Sequence, residues 1–172
     1  MAKNEKFKKG DWAVHTYYGV GQIIGREKKK LRGTKKVFYS MKFDNGYGKL
    51  NRYKLKEKYI RPIAQKKEFK EALKIIRSAP QEMTEKPLVR KRHILQSIQD
   101  GSLTALAGVL RDLYQLIKSG KADYWSKARY SLVKSQFLDE WTQVSGIKKD
   151  DLEKKLKKNL RTSLEKDKIG VA

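Results

Sequence analysis

Two histidines, His15 and His93, are the chain's whole supply of imidazole, and it has no cysteine. General acid–base work at neutral pH leans on histidine. His15 falls among apolar residues of a strand candidate and His93 in a basic helix, so a structural role outweighs a catalytic one for each. No HExxH, phosphate-loop or GxSxG pattern occurs. Gly19-Val20-Gly21 lacks both the third glycine of a dinucleotide cradle and a following helix, and it reads as turn chemistry. Asp150-Asp151 invites a metal reading, but a helix N-terminus that favours acidic residues explains the pair more simply. Without cysteine there is no disulfide, Cys-based zinc site or thiol catalysis, which fits a cytosolic setting. These residues point away from an enzyme and call for no cofactor and no metal.

Binding chemistry is better represented. Forty-two Lys and Arg against 19 Asp and Glu give a net charge of +23. Such a field favours a polyanionic partner through counterion release. A purely solubilising surface or a lysine-biased composition is the bland alternative. An anionic membrane surface fits less well, because no basic helix shows a large exposed apolar face. Arg90, Lys91 and Arg92 form a compact cluster at the start of a helix candidate, just after a Pro-containing loop, where cations can neutralise phosphates. Leu88 precedes them. An apolar side chain flanked by cations can wedge at a minor-groove base step; equally, Leu88 can pack as the first core residue of its helix. Lys28-Lys29-Lys30 and Lys35-Lys36 flank Arg32-Gly33, as a solvated hairpin tip or as a docking point for an acidic protein surface.

The elements that position these residues divide the chain in two. Residues 1–64 carry 18 basic and five acidic residues, and residues 65–172 carry 24 and 14, so both halves are basic. The first half reads as short strands: Asp11–His15, Gln22–Glu27, an alternating run in which Val37, Tyr39, Met41 and Phe43 share a face, then Lys49–Tyr53 and Tyr59–Ile63. Lys28–Lys36 reads as a charged connection, and Asp44-Asn45-Gly46 as a hairpin turn. Five strands in about 60 residues predict a small SH3-like or Tudor-like β-barrel, since closure removes vulnerable edges. The second half has helical periodicity. Phe69, Ala72, Leu73 and Ile76 share one face, and Ala79-Pro80 ends that helix. Leu88, Ile94, Leu95 and Ile98 mark a second helix, closed near Gly101. Ser102 caps a third, whose face runs from Leu103 to Ile117. A fourth carries Ala128, Leu132, Val133, Phe137, Trp141 and Val144 and ends at Gly146. Beyond it, Leu152, Leu156, Leu160 and Leu164 form a narrow stripe on a heavily charged segment that reads as a peripheral helix. The fold class is therefore α+β, an N-terminal five-stranded barrel followed by an all-α domain.

The order of the motifs resembles the CarD/CdnL family of bacterial transcription regulators. Phe7-Lys8-Lys9-Gly10-Asp11, Val14 and Tyr18-Gly19-Val20-Gly21-Gln22-Ile23 resemble the opening of that family and the polymerase-interacting module of transcription-repair coupling factors. The resemblance continues through Arg77-Ser78-Ala79-Pro80, Val89-Arg90-Lys91-Arg92 and Val109-Leu110-Arg111-Asp112-Leu113-Tyr114. It spans residues 6–145, and the tail beyond Ser145 matches poorly. It implies that residues 1–64 contact the β subunit of RNA polymerase and that residues 65–172 lie on promoter DNA at the upstream edge of the bubble, with largely sequence-independent contacts that stabilise the open state. Two basic positions on neighbouring barrel strands are implied as polymerase contacts, on Lys29 and Arg52. A family Trp that wedges into the minor groove falls on Leu88, a smaller wedge without the indole; Arg90, Lys91 and Arg92 accompany it. Trp125 and Trp141 are assigned to the core.

Two other classes compete. A basic RNA- or ribosome-associated binding protein shares the charge and the small barrel. An SH3-type peptide module would need an exposed aromatic groove from residues such as Tyr17, Tyr18, Tyr47 and Tyr53. No run of about 18 apolar residues exists, and Met1–Lys9 has no apolar stretch to act as a secretion signal. The expected protein is a cytoplasmic, nucleoid-associated monomer without a membrane partner.

Overall fold

The computed structural model describes the backbone of residues 6–44 and 50–169 and the side chains of residues 6–43 and 54–166. Residues up to Ile63 and residues from Ala64 form two compact units.

In the first unit, β1 (Trp12–His15), β2 (Gly19–Leu31), β3 (Thr34–Asp44), β4 (Leu50–Lys56) and β5 (Ile60–Pro62) make one antiparallel sheet in the order β4-β3-β2-β1-β5. The alternation read from Val37 to Phe43 is real. Tyr39, Met41 and Phe43 are buried with Phe7, Ala13, Ile23 and Ile60, and Phe7 meets Tyr39 edge-on at 5.3 Å. Gly21 sits where a Cβ would lie 2.7 Å from the Phe43 ring and 2.9 Å from the Lys42 carbonyl oxygen. That close approach of backbone to ring is why a glycine stands there.

Three expectations change. The sheet is not closed: among the described residues no ladder joins β4 to β5. A 3-10 turn at Glu57–Tyr59 leads away from β4 into a three-residue β5 that pairs with β1 and ends at Pro62. The edges are blunted instead, by brevity and proline on β5 and by exposed Lys54 and Lys56 on β4. The charged connection expected over Lys28–Lys36 is mostly strand. Lys28 to Leu31 and Thr34 to Lys36 continue the β2–β3 ladder, and only Arg32-Gly33 turns, at φ 48° and 80°, the two positive values a tight type I′ hairpin needs. In this arm Lys29 faces Lys36 and Lys30 faces Lys35 across the strands. Finally, β2 and β4, which carry Lys29 and Arg52, are not neighbours, because β3 runs between them. The turn residues Asn45 and Gly46 lie outside the described residues.

The second unit is five helices: α1 (Lys66–Arg77), α2 (Pro87–Asp100), α3 (Leu103–Lys118), α4 (Tyr124–Ser145) and α5 (Lys149–Ile169). The α1 face is buried as read, and Ser102 caps α3 by accepting the Ala105 N–H at 3.2 Å. The α3 helix is the centre, with Leu106, Ala107, Leu110 and Leu113 buried against α1, α2 and α4. The charged tail is not peripheral. Leu152, Leu156 and Leu160 of α5 are about as buried as any residue of the core, Ser163 Oγ donates to the Ser78 carbonyl at 2.6 Å, and Arg77 donates to Asn159 at 3.2 Å. Among the described residues no helix is long and apolar enough to cross a membrane.

Candidate nucleic-acid interface

The start of α2 is built by a proline and little else. Pro87 occupies the first helical position, which suits its fixed φ, while Lys86 supplies no side-chain cap. The first amides of the helix are therefore left for water or a ligand. Leu88 follows at 78% exposed. It does not pack as the first core residue of its helix, and Leu95, also read as core, is exposed on the same side. The core side of α2 is carried instead by Arg90, Ile94 and Ile98, which a purely apolar periodicity does not register.

The cluster Arg90-Lys91-Arg92 is consequently split. Arg90 turns inward and is only 6% exposed. Its Nη1 donates to the Thr84 carbonyl at 3.1 Å and its Nη2 to Asp123 Oδ2 at 3.1 Å. Asp123 also caps α4 by accepting the Ser126 N–H at 2.7 Å. Ser126, chiefly through that N–H bond, and to a smaller extent the Arg90 guanidinium hold the Asp123 carboxyl below the usual carboxylate range. Arg90 thus ties α2, the loop before it and α4 together; it is not a surface cation. Lys91 is half-buried, with Nζ 5.4 Å from the Trp125 ring centroid, and Arg129 lies over the same ring at 5.2 Å. Arg92 is exposed. Trp141 is in the core as expected, stacked on Phe69 at 5.8 Å. Trp125 is half-buried and packs against the edge of the core, with Lys91 and Arg129 both close to its ring. The result is a patch where two helix N-termini meet, bearing Leu88, Lys91, Arg92, Trp125 and Arg129.

A second polar device lies behind it. Arg111 grips its neighbour Asp112 through two bonds, Nε at 2.7 Å and Nη2 at 3.1 Å, and donates to Ser78 Oγ at 2.6 Å. Asp112 accepts the Gln81 N–H at 2.8 Å. This pair anchors the turn after α1, which leads into the loop carrying α2.

In the β unit, Lys29 is half-exposed and lies 3.5 Å from Glu27, which also accepts from Lys54 of β4 at 2.9 Å. The Lys54 hydrogen bond, with Lys29 behind it, holds the Glu27 carboxyl below its ordinary value. Arg52 pairs with Lys42 through its backbone; its side chain lies outside the described residues, as do Tyr47 and the Tyr53 side chain. Tyr17 and Tyr18 are half-exposed beside His15, with ring centroids 5.8 and 5.0 Å from it. His15 is buried, and its Nδ1 accepts the Tyr17 N–H at 3.2 Å. Burial brings its pKa down to about 4. His93 is exposed on α2. Among the described residues no cluster of His, Asp and Glu could hold a metal ion.

The profile of the CarD-like/TRCF RID domain matches residues 7–51, and that of the CarD C-terminal domain matches residues 71–157. The chain belongs to the CarD family. It is a transcription-associated, RNA polymerase-interacting regulator with an N-terminal β domain and a C-terminal helical domain. The CarD match runs past Ser145 into α5, in keeping with the burial of the first leucines of that helix. Curated proteins give no match to the chain.

Proposed function

We propose that this CarD-family chain binds the β subunit of RNA polymerase through residues 1–64 and upstream promoter DNA through residues 65–172, and thereby shifts promoter complexes toward the open state without catalysing a reaction. The observation that carries the DNA half is Leu88, fully presented on an uncapped helix start and flanked by Lys91 and Arg92. An apolar tip with cations beside it suits a minor-groove edge, where the tip enters a base step and the cations meet phosphates. Leu88, Lys91 and Arg92 make these contacts, while Arg90 positions the helix that bears them. Lys29 and Arg52 are the polymerase contacts carried over from the family resemblance. Lys29 offers a point charge, without the planar fork of an arginine.

The mechanism is linkage. A protein that binds the open complex more tightly than the closed one shifts the equilibrium by that difference in affinity. Attachment to polymerase raises the local concentration of the helical unit at the promoter, so a weak contact without sequence preference suffices. On this reading the protein acts in the cytoplasm, at the nucleoid, as a monomer beside polymerase.

The test is the lifetime of open complexes with the full-length chain. The pair Lys91→Glu and Arg92→Glu is expected to reduce the added lifetime on the order of tenfold at moderate salt, on promoters of different sequence alike. An unchanged lifetime refutes the DNA contact. Lys29→Glu and Arg52→Glu are expected to lose the β subunit in a pull-down. Retained β subunit refutes those contacts, and RNA-dependent capture of ribosomes by wild type would favour the RNA-associated reading.

A further inference from the structure

Tyr124 is the most exposed large apolar side chain among the described residues. Tyr124 is 88% exposed and Leu88 78%, while no other exceeds half. Both stand in the first turn of a helix, Tyr124 of α4 and Leu88 of α2. Two links hold these starts together. Arg90, two residues from Leu88, is paired with Asp123, the neighbour of Tyr124. Lys91, three residues from Leu88, lies over Trp125, the other neighbour of Tyr124. The two exposed side chains therefore stand on helix starts that are held together by a half-buried ion pair and a cation–π contact.

The surroundings select the occupant. Lys127 is exposed one turn after Tyr124, Arg92 is exposed one turn after Leu88, and Lys91 and Arg129 both lie over the Trp125 ring. The acidic groups nearby are engaged, Asp123 as the cap and partner of Arg90, and Glu85 with Lys121 at 3.3 Å. A flat ring ringed by cations suits a nucleic-acid base with its phosphates, because every base has a face to stack. Leu88 has no such flat surface to offer.

We propose that Tyr124 is a second DNA-contacting side chain, stacking on the exposed face of a base at the edge of the opened duplex while Leu88 enters the adjoining groove. This rests on the promoter-DNA reading above and deepens it. Stacking needs an exposed base, so the contact forms only once the duplex has opened, and Tyr124 contributes to the preference for the open complex. Truncation of so exposed a ring leaves the core intact.

The experiment uses the full-length chain, polymerase and a promoter carrying 2-aminopurine at successive positions of the upstream edge. Open-complex lifetime and 2-aminopurine emission are read for wild type, Tyr124→Ala, Tyr124→Phe, Leu88→Ala and Arg92→Glu. Tyr124→Ala is expected to shorten the lifetime on the order of tenfold and to erase a change in emission that Tyr124→Phe retains. A Tyr124→Ala protein that matches wild type, while Leu88→Ala or Arg92→Glu shortens the lifetime, overturns the role of Tyr124 and leaves the interface standing. If all variants match wild type, the interface reading fails and this proposal with it. If Tyr124→Ala loses polymerase in a pull-down without DNA, a protein surface covers the ring and the proposal is wrong.

Discussion

Asp123 carries two tasks in one carboxylate, capping α4 and neutralising the buried Arg90. Asp123→Ala should destabilise the helical unit by about 2–3 kcal/mol. Loss of a cap contributes about 1 kcal/mol and the stranded guanidinium the rest, below the figure for a fully buried pair because Asp123 stays partly wet. Asp123→Asn keeps the capping oxygen and isolates the charge; denaturant melts of the three proteins separate the two parts. His15 makes a pH prediction. Its pKa falls from 6.5 when exposed to about 4 in the fold, so between those values the unfolded chain binds the extra proton. Stability of the β unit is then flat above about 6.5 and is lost as the pH falls toward 4. An imidazole NMR titration of the folded protein should show a midpoint near the lower value, and His15→Gln should flatten the pH dependence of melting. At this scale the sequence was half legible. Leu88 and the cations around it were visible as a motif, because adjacency is a sequence property. That Arg90 turns inward was not, because its partner is 33 residues away. Tyr124 was missed for a related reason, since exposure is decided by what packs nearby and a tyrosine at a helix start carries no signal of its own.

Among the elements, α5 marks where composition misleads. Its leucines recur at every fourth position, a stripe one helix face wide, but Lys and Glu fill the rest and dilute the average. A helix that packs on one side needs no more than such a stripe. Leu156→Ala should therefore cost about 2–5 kcal/mol, the range of a buried leucine truncation, measured as a shift in the helical unit's unfolding midpoint. A peripheral helix would lose a few tenths. In the sheet, Gly21→Ala places a methyl against the Phe43 ring and the Lys42 carbonyl. Overpacking of this kind should destabilise the β unit by about 1–3 kcal/mol, measured as a shift in its unfolding midpoint. The strand alternation of β3 was legible, because a period of two survives any tertiary context. Strand length in the β2–β3 arm was not, since lysines favour neither state and the two-residue turn alone decides where the ladder stops.

For the molecule as a whole, the dominant feature is its net charge of +23. Basic excess on both units favours anionic partners, and salt should weaken the proposed complex with DNA steeply. If Arg92 makes the proposed phosphate contact, Arg92→Ala should lower the slope of log affinity against log salt by about one, while Tyr124→Ala should lower affinity and leave the slope unchanged. The division into a strand-rich and a helical half was legible because the two periodicities differ; openness of the sheet was not, because periodicity marks the strands without saying which of them pair. The facing lysines of the β2–β3 arm carry one more consequence. Two like-charged rungs near the tip repel one another in the free protein, and counterions relieve that repulsion. Added electrolyte should therefore slow amide exchange in the arm while it loosens the helical unit's hold on duplex, so that one reagent tightens one end of the chain and releases the other.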